Sequence, residues 1–81
     1  MGLPRHTLYI GGLPADADVE TLQRLFGGIS GLRSVRIVKR SSGSCRGFGY
    51  ITFDNRESVY AARRMDGTPL GDTRLRIAPA R

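Results

Sequence analysis

The chain has no tryptophan, one cysteine (Cys45), one histidine (His6) and one lysine (Lys39). A single cysteine excludes a disulfide within the chain, and with only one histidine beside it there is no ligand set for a Cys/His zinc site. There is no Cys-x-x-Cys pair and no pair of carboxylates on an apolar strand face, and the lone histidine lies next to the N-terminus. No catalytic constellation emerges, so the expectation is no catalytic residue, no metal and no cofactor. No apolar run nears the roughly 20 residues of a membrane span, and nothing at the start reads as a signal peptide. An absence of paired cysteines suits the reducing interior of a cell.

What is present is cationic charge, almost all of it arginine. Thirteen basic residues face seven acidic ones, for a net charge of +6, and every basic residue except Lys39 is arginine. Arginine forks onto phosphate in a bidentate way and stacks its flat guanidinium on rings, both of which lysine does poorly. The acidic residues gather at Asp16, Asp18 and Glu20 and at Asp54 and Glu57, near the starts of two helical patterns where the helix dipole favours them. The basic ones gather from Arg33 to Arg46 and from Arg74 to Arg81. That segregation predicts a basic surface for a polyanion.

A chain of 81 residues is one domain, expected to span 1–81 with a core of about 6–79 and to belong to a longer protein. At this size it buries only about 60% of its unfolded surface, which favours two layers with one sheet face left open. The periodicity fills in that plan. "TLYIGGL" (Thr7 to Leu13) reads as a strand closed by glycines and Pro14. Val19, Leu22, Leu25, Phe26 and Ile29 then fall at helical spacing, with Asp18 as N-cap and Gly27 and Gly28 at the end. "LRSVRIV" alternates again, with Val35 and Ile37 inward and Ser34, Arg36 and Val38 outward; "KRSSGS" is a basic turn.

The second helix runs from its N-cap Asn55 to Gly67 as C′ residue, with Val59, Ala62 and Met65 on its apolar side. "TPLGD" reads as a turn and "TRLRIAP" as a last strand, with Leu75 and Ile77 inward, Arg74 and Arg76 outward and Pro79 as its stop. The order is β-α-β-β-α-β. Right-handed crossovers put both helices on one face of a four-stranded antiparallel sheet, an α+β, ferredoxin-like plan.

The third strand, "CRGFGYITF" (Cys45 to Phe53), is the informative one. Alternation sends Arg46, Phe48, Tyr50 and Thr52 to one face and Gly47, Gly49, Ile51 and Phe53 to the other. Ile51 and Phe53 serve the core. The opposite face holds two of only six aromatics in the chain, and Tyr9, Arg36, Arg74 and Arg76 project to the same side. Aromatics left open beside arginines suit a flat, negatively charged partner that stacks. Gly47 and Gly49 read as room for helix packing or strand twist, and Cys45 as a loop thiol without a role.

"RGFGYITF" (Arg46 to Phe53) resembles the RNP1 motif of the RNA recognition motif family at every specified position of that motif, and "LYIGGL" (Leu8 to Leu13) resembles the companion RNP2 motif. The resemblance covers essentially the whole chain. It implies a single-stranded RNA-binding module, monomeric on its own, in which Tyr9 and Tyr50 each stack a base, Phe48 lies against sugars and Arg46 pairs with phosphate. Arg36, Arg74, Arg76, Lys39 and Arg40 add electrostatic attraction. The nucleus or cytoplasm is the expected setting, with an RNA-containing organelle such as a mitochondrion left open. Gly12 stands where the family commonly has Asn, the glycine after the first helix is displaced to the region of Ser30 and Gly31, "SSGSC" is a short loop, and Asp66 replaces a common Asn. The second helix is also about one residue shorter before its "MDG" than is usual.

One stripe is not absorbed by the motif. Arg56, Tyr60, Arg63 and Arg64 share a side of the second helix. Such a stripe is commonly a solvated face; the rival reading is a second contact surface, for RNA or for a protein partner. The alternative function is accordingly a protein-interaction module of the same fold, with a covered sheet face or binding on the helical side.

Overall fold

The computed structural model describes residues 5–80. Arg81, part of the C-terminal basic group, lies outside the described residues. The elements run β1 (Thr7–Gly11), α1 (Val19–Phe26), β2 (Leu32–Lys39), β3 (Cys45–Phe53), α2 (Arg56–Arg63), β4 (Pro69–Leu70), β5 (Thr73–Arg74) and β6 (Arg76–Pro79). Four strands form an antiparallel sheet in the order β2-β3-β1-β6, and β4 pairs with β5 in a separate hairpin. The fold is the expected ferredoxin-like one.

The helices begin where the capping residues place them. Asp18 Oδ1 accepts from the Thr21 backbone N–H at 2.9 Å, while the Asp18 N–H donates to Thr21 Oγ1 at 3.2 Å, a reciprocal capping box. Asn55 Oδ1 accepts from the Ser58 N–H at 2.8 Å at the start of α2. These bonds satisfy N–H groups that the first turn leaves without partners. The bond from the Thr21 backbone holds the Asp18 carboxyl below its ordinary value, with Thr21 Oγ1 adding to the effect. A folded-state pKa below the unfolded one means that this contribution is complete above the unfolded value and is lost as pH falls through the folded one. Asp18→Ala is therefore expected to lower the denaturation midpoint at neutral pH, and the gap to wild type should close as the medium is acidified below about pH 3.8. Paired denaturation curves across that range check it.

Leu22 and Phe26 from α1 and Ala62 from α2 meet Leu8, Ile10, Ile51, Phe53 and Ile77 from one face of the sheet, all of them buried. Leu25, Ile29, Val35, Ile37, Val59 and Met65 complete the margin. Val19, read as an apolar position of α1, is 40% exposed because it occupies the first turn. Ser58 turns inward from α2 and its hydroxyl donates to the Ser30 carbonyl at 2.5 Å, tying the helix to the chain entering β2.

Four expectations are corrected. Cys45 is not a loop thiol: it is the first residue of β3, buried in the core, with its Sγ accepting from the Gly47 N–H at 3.2 Å. Gly67 is not the C′ residue of α2, which ends at Arg63 with Arg64 as C-cap; Met65 and Asp66 continue in single turns through bonds to Ala62 and Arg63. "TPLGD" is more than a turn, since Pro69–Leu70 pairs with Thr73–Arg74. The last sheet strand is consequently shorter, Arg76–Pro79.

Neither strand glycine makes room for a helix, though the one at a bulge fits the expected strand twist. Gly47 has φ +96, a conformation that side-chain-bearing residues rarely adopt, and it sits where the β2–β3 register jumps between Ile37 opposite Gly49 and Lys39 opposite Cys45. Gly49 makes room for the Arg36 carbonyl of the neighbouring strand rather than for a helix.

Candidate functional site

The sheet face away from the helices is where the outward sets converge. Tyr9 on β1 lies directly opposite Tyr50 on β3, and Gly11 lies opposite Phe48. The three rings touch one another: Tyr9 and Phe48 are 5.7 Å apart and tilted by only 30°, while Tyr50 stands edge-on, 6.1 Å from each, at 70° to Tyr9 and 88° to Phe48. All three are half-buried. Such offset and edge-to-face pairs are favourable geometries that fix each ring by its neighbours.

Small residues let Tyr9 lie flat. A methyl group on Gly11 would sit 2.5 Å from Tyr9 Oη and 2.8 Å from its Cε1, so the ring occupies the space above that glycine. On the other flank Ala78 of β6 is the residue opposite Tyr9. Nothing in the sequence alone assigned Gly11 a part in the site; its position two residues after a platform tyrosine was the available signal.

Cations surround the rings without covering them. Arg36 of β2 is directly opposite Tyr50, and Arg76 of β6 is opposite Gly11. Arg46 is exposed at the start of β3, where Cys45 and Gly47 are bonded to the chain after β1: the Cys45 N–H donates to the Ala15 carbonyl at 2.8 Å and the Leu13 N–H to the Gly47 carbonyl at 3.0 Å. Lys39 pairs in register with Cys45, whose side chain enters the core, so Lys39 stands on the helix side of the sheet, where its charge joins the Thr21 bonds in lowering the Asp18 carboxyl. Arg40 opens the turn that its bonds with Gly43 and Ser44 close. Arg46, Arg76 and Arg40 thus share one end of the sheet, with Arg36 at its middle. Among the described residues the one ion pair joins Arg33 and Asp54, 3.8 Å apart and both well exposed, so none of these cations is neutralised by a carboxylate.

Arg74 does not join them. Its residue belongs to β5, and its guanidinium Nη1 donates to the Gly67 carbonyl at 3.3 Å, towards the end of α2. Thr73 Oγ1 donates to the Gly12 carbonyl and so pins the hairpin beside the end of β1.

At the other end of the platform a hollow of about 410 Å³ opens beside Tyr50, between the rings and the outer strand β2. Its polar lining is Arg36, Ser34, Thr52 and Thr7, and the last two share a hydrogen bond of 2.9 Å between their hydroxyl oxygens. Alternation had placed Ser34 and Thr52 outward, yet a single hydroxyl carries no signal until the fold gathers several. The side chains on offer here are stacking rings, hydroxyls that both donate and accept, and a planar guanidinium fork. Among the described residues no group of three or more His, Cys, Asp or Glu could hold a metal. No helix is long and apolar enough to cross a membrane.

The second-helix set divides. Arg56, Tyr60, Arg63 and Arg64 are all exposed, but only the first three border a further hollow against the start of β1. His6 borders it too.

Known proteins are similar to this chain in sequence and in fold. The spliceosome associated factor 3, U4/U6 recycling protein of Danio rerio is 36% identical over 77 residues, 94% of this chain but 8% of its own length. The chloroplastic 28 kDa ribonucleoprotein of Spinacia oleracea is 34% identical over 76 residues, 91% of this chain and 33% of that protein. The chain therefore spans a minor part of these relatives. The second RRM domain of the yeast poly(U)-binding protein superposes with a TM-score of 0.83 at 30% identity, covering 93% of both chains. The RNA recognition motif model matches residues 8–76, a span that contains the aromatic trio, the Gly47 bulge and Arg76. With most of its residues matched by the family model and the fold in agreement, the chain belongs to the RNA recognition motif family.

Proposed function

We propose that this domain binds single-stranded RNA on its open sheet face, as a binding module and not an enzyme, in an intracellular setting. The observation that carries this is the trio of mutually packed, half-exposed rings of Tyr9, Phe48 and Tyr50, on a face that no described residue covers. Unpaired bases present π-faces, and stacking one on an aromatic ring contributes about 1–3 kcal/mol without demanding a particular base. Tyr9 and Tyr50 take one base each, and Phe48 lies against the intervening sugars. The hollow beside Tyr50 lets Arg36, Ser34 and Thr52 meet the edge of the base that stacks there. Arg46, Arg76 and Arg40 meet phosphates as the strand crosses.

The salt dependence of binding tests it. Three to five phosphate contacts from these cations give a slope of log K against log[salt] of about −2 to −3.5 on a single strand. Oligouridine is a suitable probe, since the similar yeast domain comes from a poly(U)-binding protein. A titration at several salt concentrations reads the slope directly. A flat response, or no binding at low salt, would count against the reading.

A further inference from the structure

A second hollow, of about 240 Å³, lies on the helical side where α2 meets the start of β1 and the end of β6. Arg5, His6, Arg56, Tyr60 and Arg63 border it, over an apolar floor that includes Val59 and Pro79, and no acidic side chain lines it. We propose that this cleft holds the phosphate backbone of the same RNA strand after it leaves the sheet, a proposal that rests on RNA binding at the open face.

Three observations point to a phosphate-bearing strand rather than to solvent. The first is charge. Arg5, Arg56 and Arg63 have no carboxylate partner among the described residues, since the one ion pair there is Arg33 with Asp54. Three guanidinium groups converging on one depression build a local positive potential that a solvated helix face would dilute with alternating charge. Arginine is also the residue whose fork matches phosphate.

The second is Tyr60, 53% exposed on α2 and outside the core. A large ring left in water between arginines repeats the stacking-plus-charge chemistry of the sheet face. The third is proximity. Thr7, the first residue of β1, borders both this cleft and the hollow beside Tyr50, so the two depressions lie on either side of one residue and a strand running off that end of the platform comes to the cleft next. The cations of the open face lie at the middle and far end of the sheet; the cleft supplies charge at the near end.

Arg64 provides the discriminating control. It follows Arg63 and is equally exposed, but it does not line the cleft. Arg63→Glu and Arg64→Glu change the charge of the domain identically and its long-range field almost so, while only the first changes the cleft. Each variant is titrated with oligouridine of about four nucleotides, enough for the rings alone, and of about twelve, enough to reach over the edge.

On the long strand Arg63→Glu is expected to lose about ten-fold in affinity and Arg64→Glu about two-fold, because linked contacts act at high effective concentration. On the short strand both should lose about two-fold, through the field alone. The salt slope of the wild type should be steeper on the long strand by about 0.7 for each added phosphate contact. Arg56→Ala/Arg63→Ala, with a thermal melt for each protein, gives the same comparison without introducing acidic side chains into α2.

Equal losses for Arg63→Glu on the two lengths, equal losses for Arg63→Glu and Arg64→Glu on the long strand, or a long strand that binds wild type no better than the short one would each overturn the cleft while leaving the sheet face standing. Failure of the wild type to bind either length would remove the sheet-face reading, and the cleft with it.

Discussion

Replacing Phe48 and Tyr50 together by alanine is expected to weaken binding to single-stranded RNA by about 2–4 kcal/mol, about 30- to 700-fold, in a domain that stays folded. Each ring offers about 1–3 kcal/mol of stacking. Their centroids are 6.1 Å apart and Tyr9 packs against both, so each ring partly holds the others in place. The combined loss should therefore fall short of the sum of two independent single losses at full strength. The fold survives because both side chains leave β3 on the face opposite Ile51 and Phe53, and their removal opens no cavity in the core. The lost ring–ring contacts cost stability of about 0.5–1.5 kcal/mol each, visible in a denaturation curve but well short of unfolding. Paired binding and denaturation measurements on the double mutant check both parts. Wild-type affinity in the folded double mutant would take the sheet face out of RNA binding.

The platform was legible because side-chain direction in a strand is a matter of parity. Tyr9, Phe48 and Tyr50 alternate with a set that includes Ile10 and Ile51, which the core claims, so the rings must face the other way. The same rule placed Arg36 and Arg76. Parity gives the face but not the partner strand, and Arg74 shows the difference. Arg74 is exposed, but the Leu75 N–H donates to the Thr68 carbonyl and the Leu75 carbonyl accepts from Gly67, which draws residues 73–74 into the hairpin and out of the four-stranded sheet.

Cys45 was lost for a different reason. It shares the parity of Ile51 and Phe53, but the serine-rich composition before it outweighed that signal. The two-residue register jump around Gly47 preserves parity, and so the thiol still points inward. The end of α2 was misplaced because single turns and a helix's last turn have the same composition. The bonds that tell them apart, Met65 to Ala62 and Asp66 to Arg63, span three residues where an α-helix spans four. The hollow beside Tyr50 and the cleft under α2 are products of tertiary assembly, since each draws on strands that are distant in the chain.

Phe53→Ala should do the reverse of the platform mutant, removing about 3–5 kcal/mol of stability with little intrinsic effect on RNA affinity. Phe53 is 1% exposed at the end of β3, opposite Leu32 across the sheet, in the cluster that Phe26, Leu8 and Ile51 share. Its backbone is also fixed, with its N–H donating to the His6 carbonyl at 3.0 Å, so the strand is not free to collapse into the space a deleted ring leaves. A cavity with rigid walls puts the loss towards the upper part of that range. A domain of this length has a total stability of about 4–12 kcal/mol, at about 0.05–0.15 kcal/mol per residue, so one substitution removes a large fraction of it. Denaturant titration should show a lower midpoint at an unchanged slope. The RNA affinity of the variant, measured in the cold and corrected for the folded fraction, should match wild type, because Tyr50 and Phe48 stand on the other face of the same strand. A corrected affinity well below wild type would mean that the core side of β3 sets the ring positions, and that the two faces of this strand cannot be mutated independently.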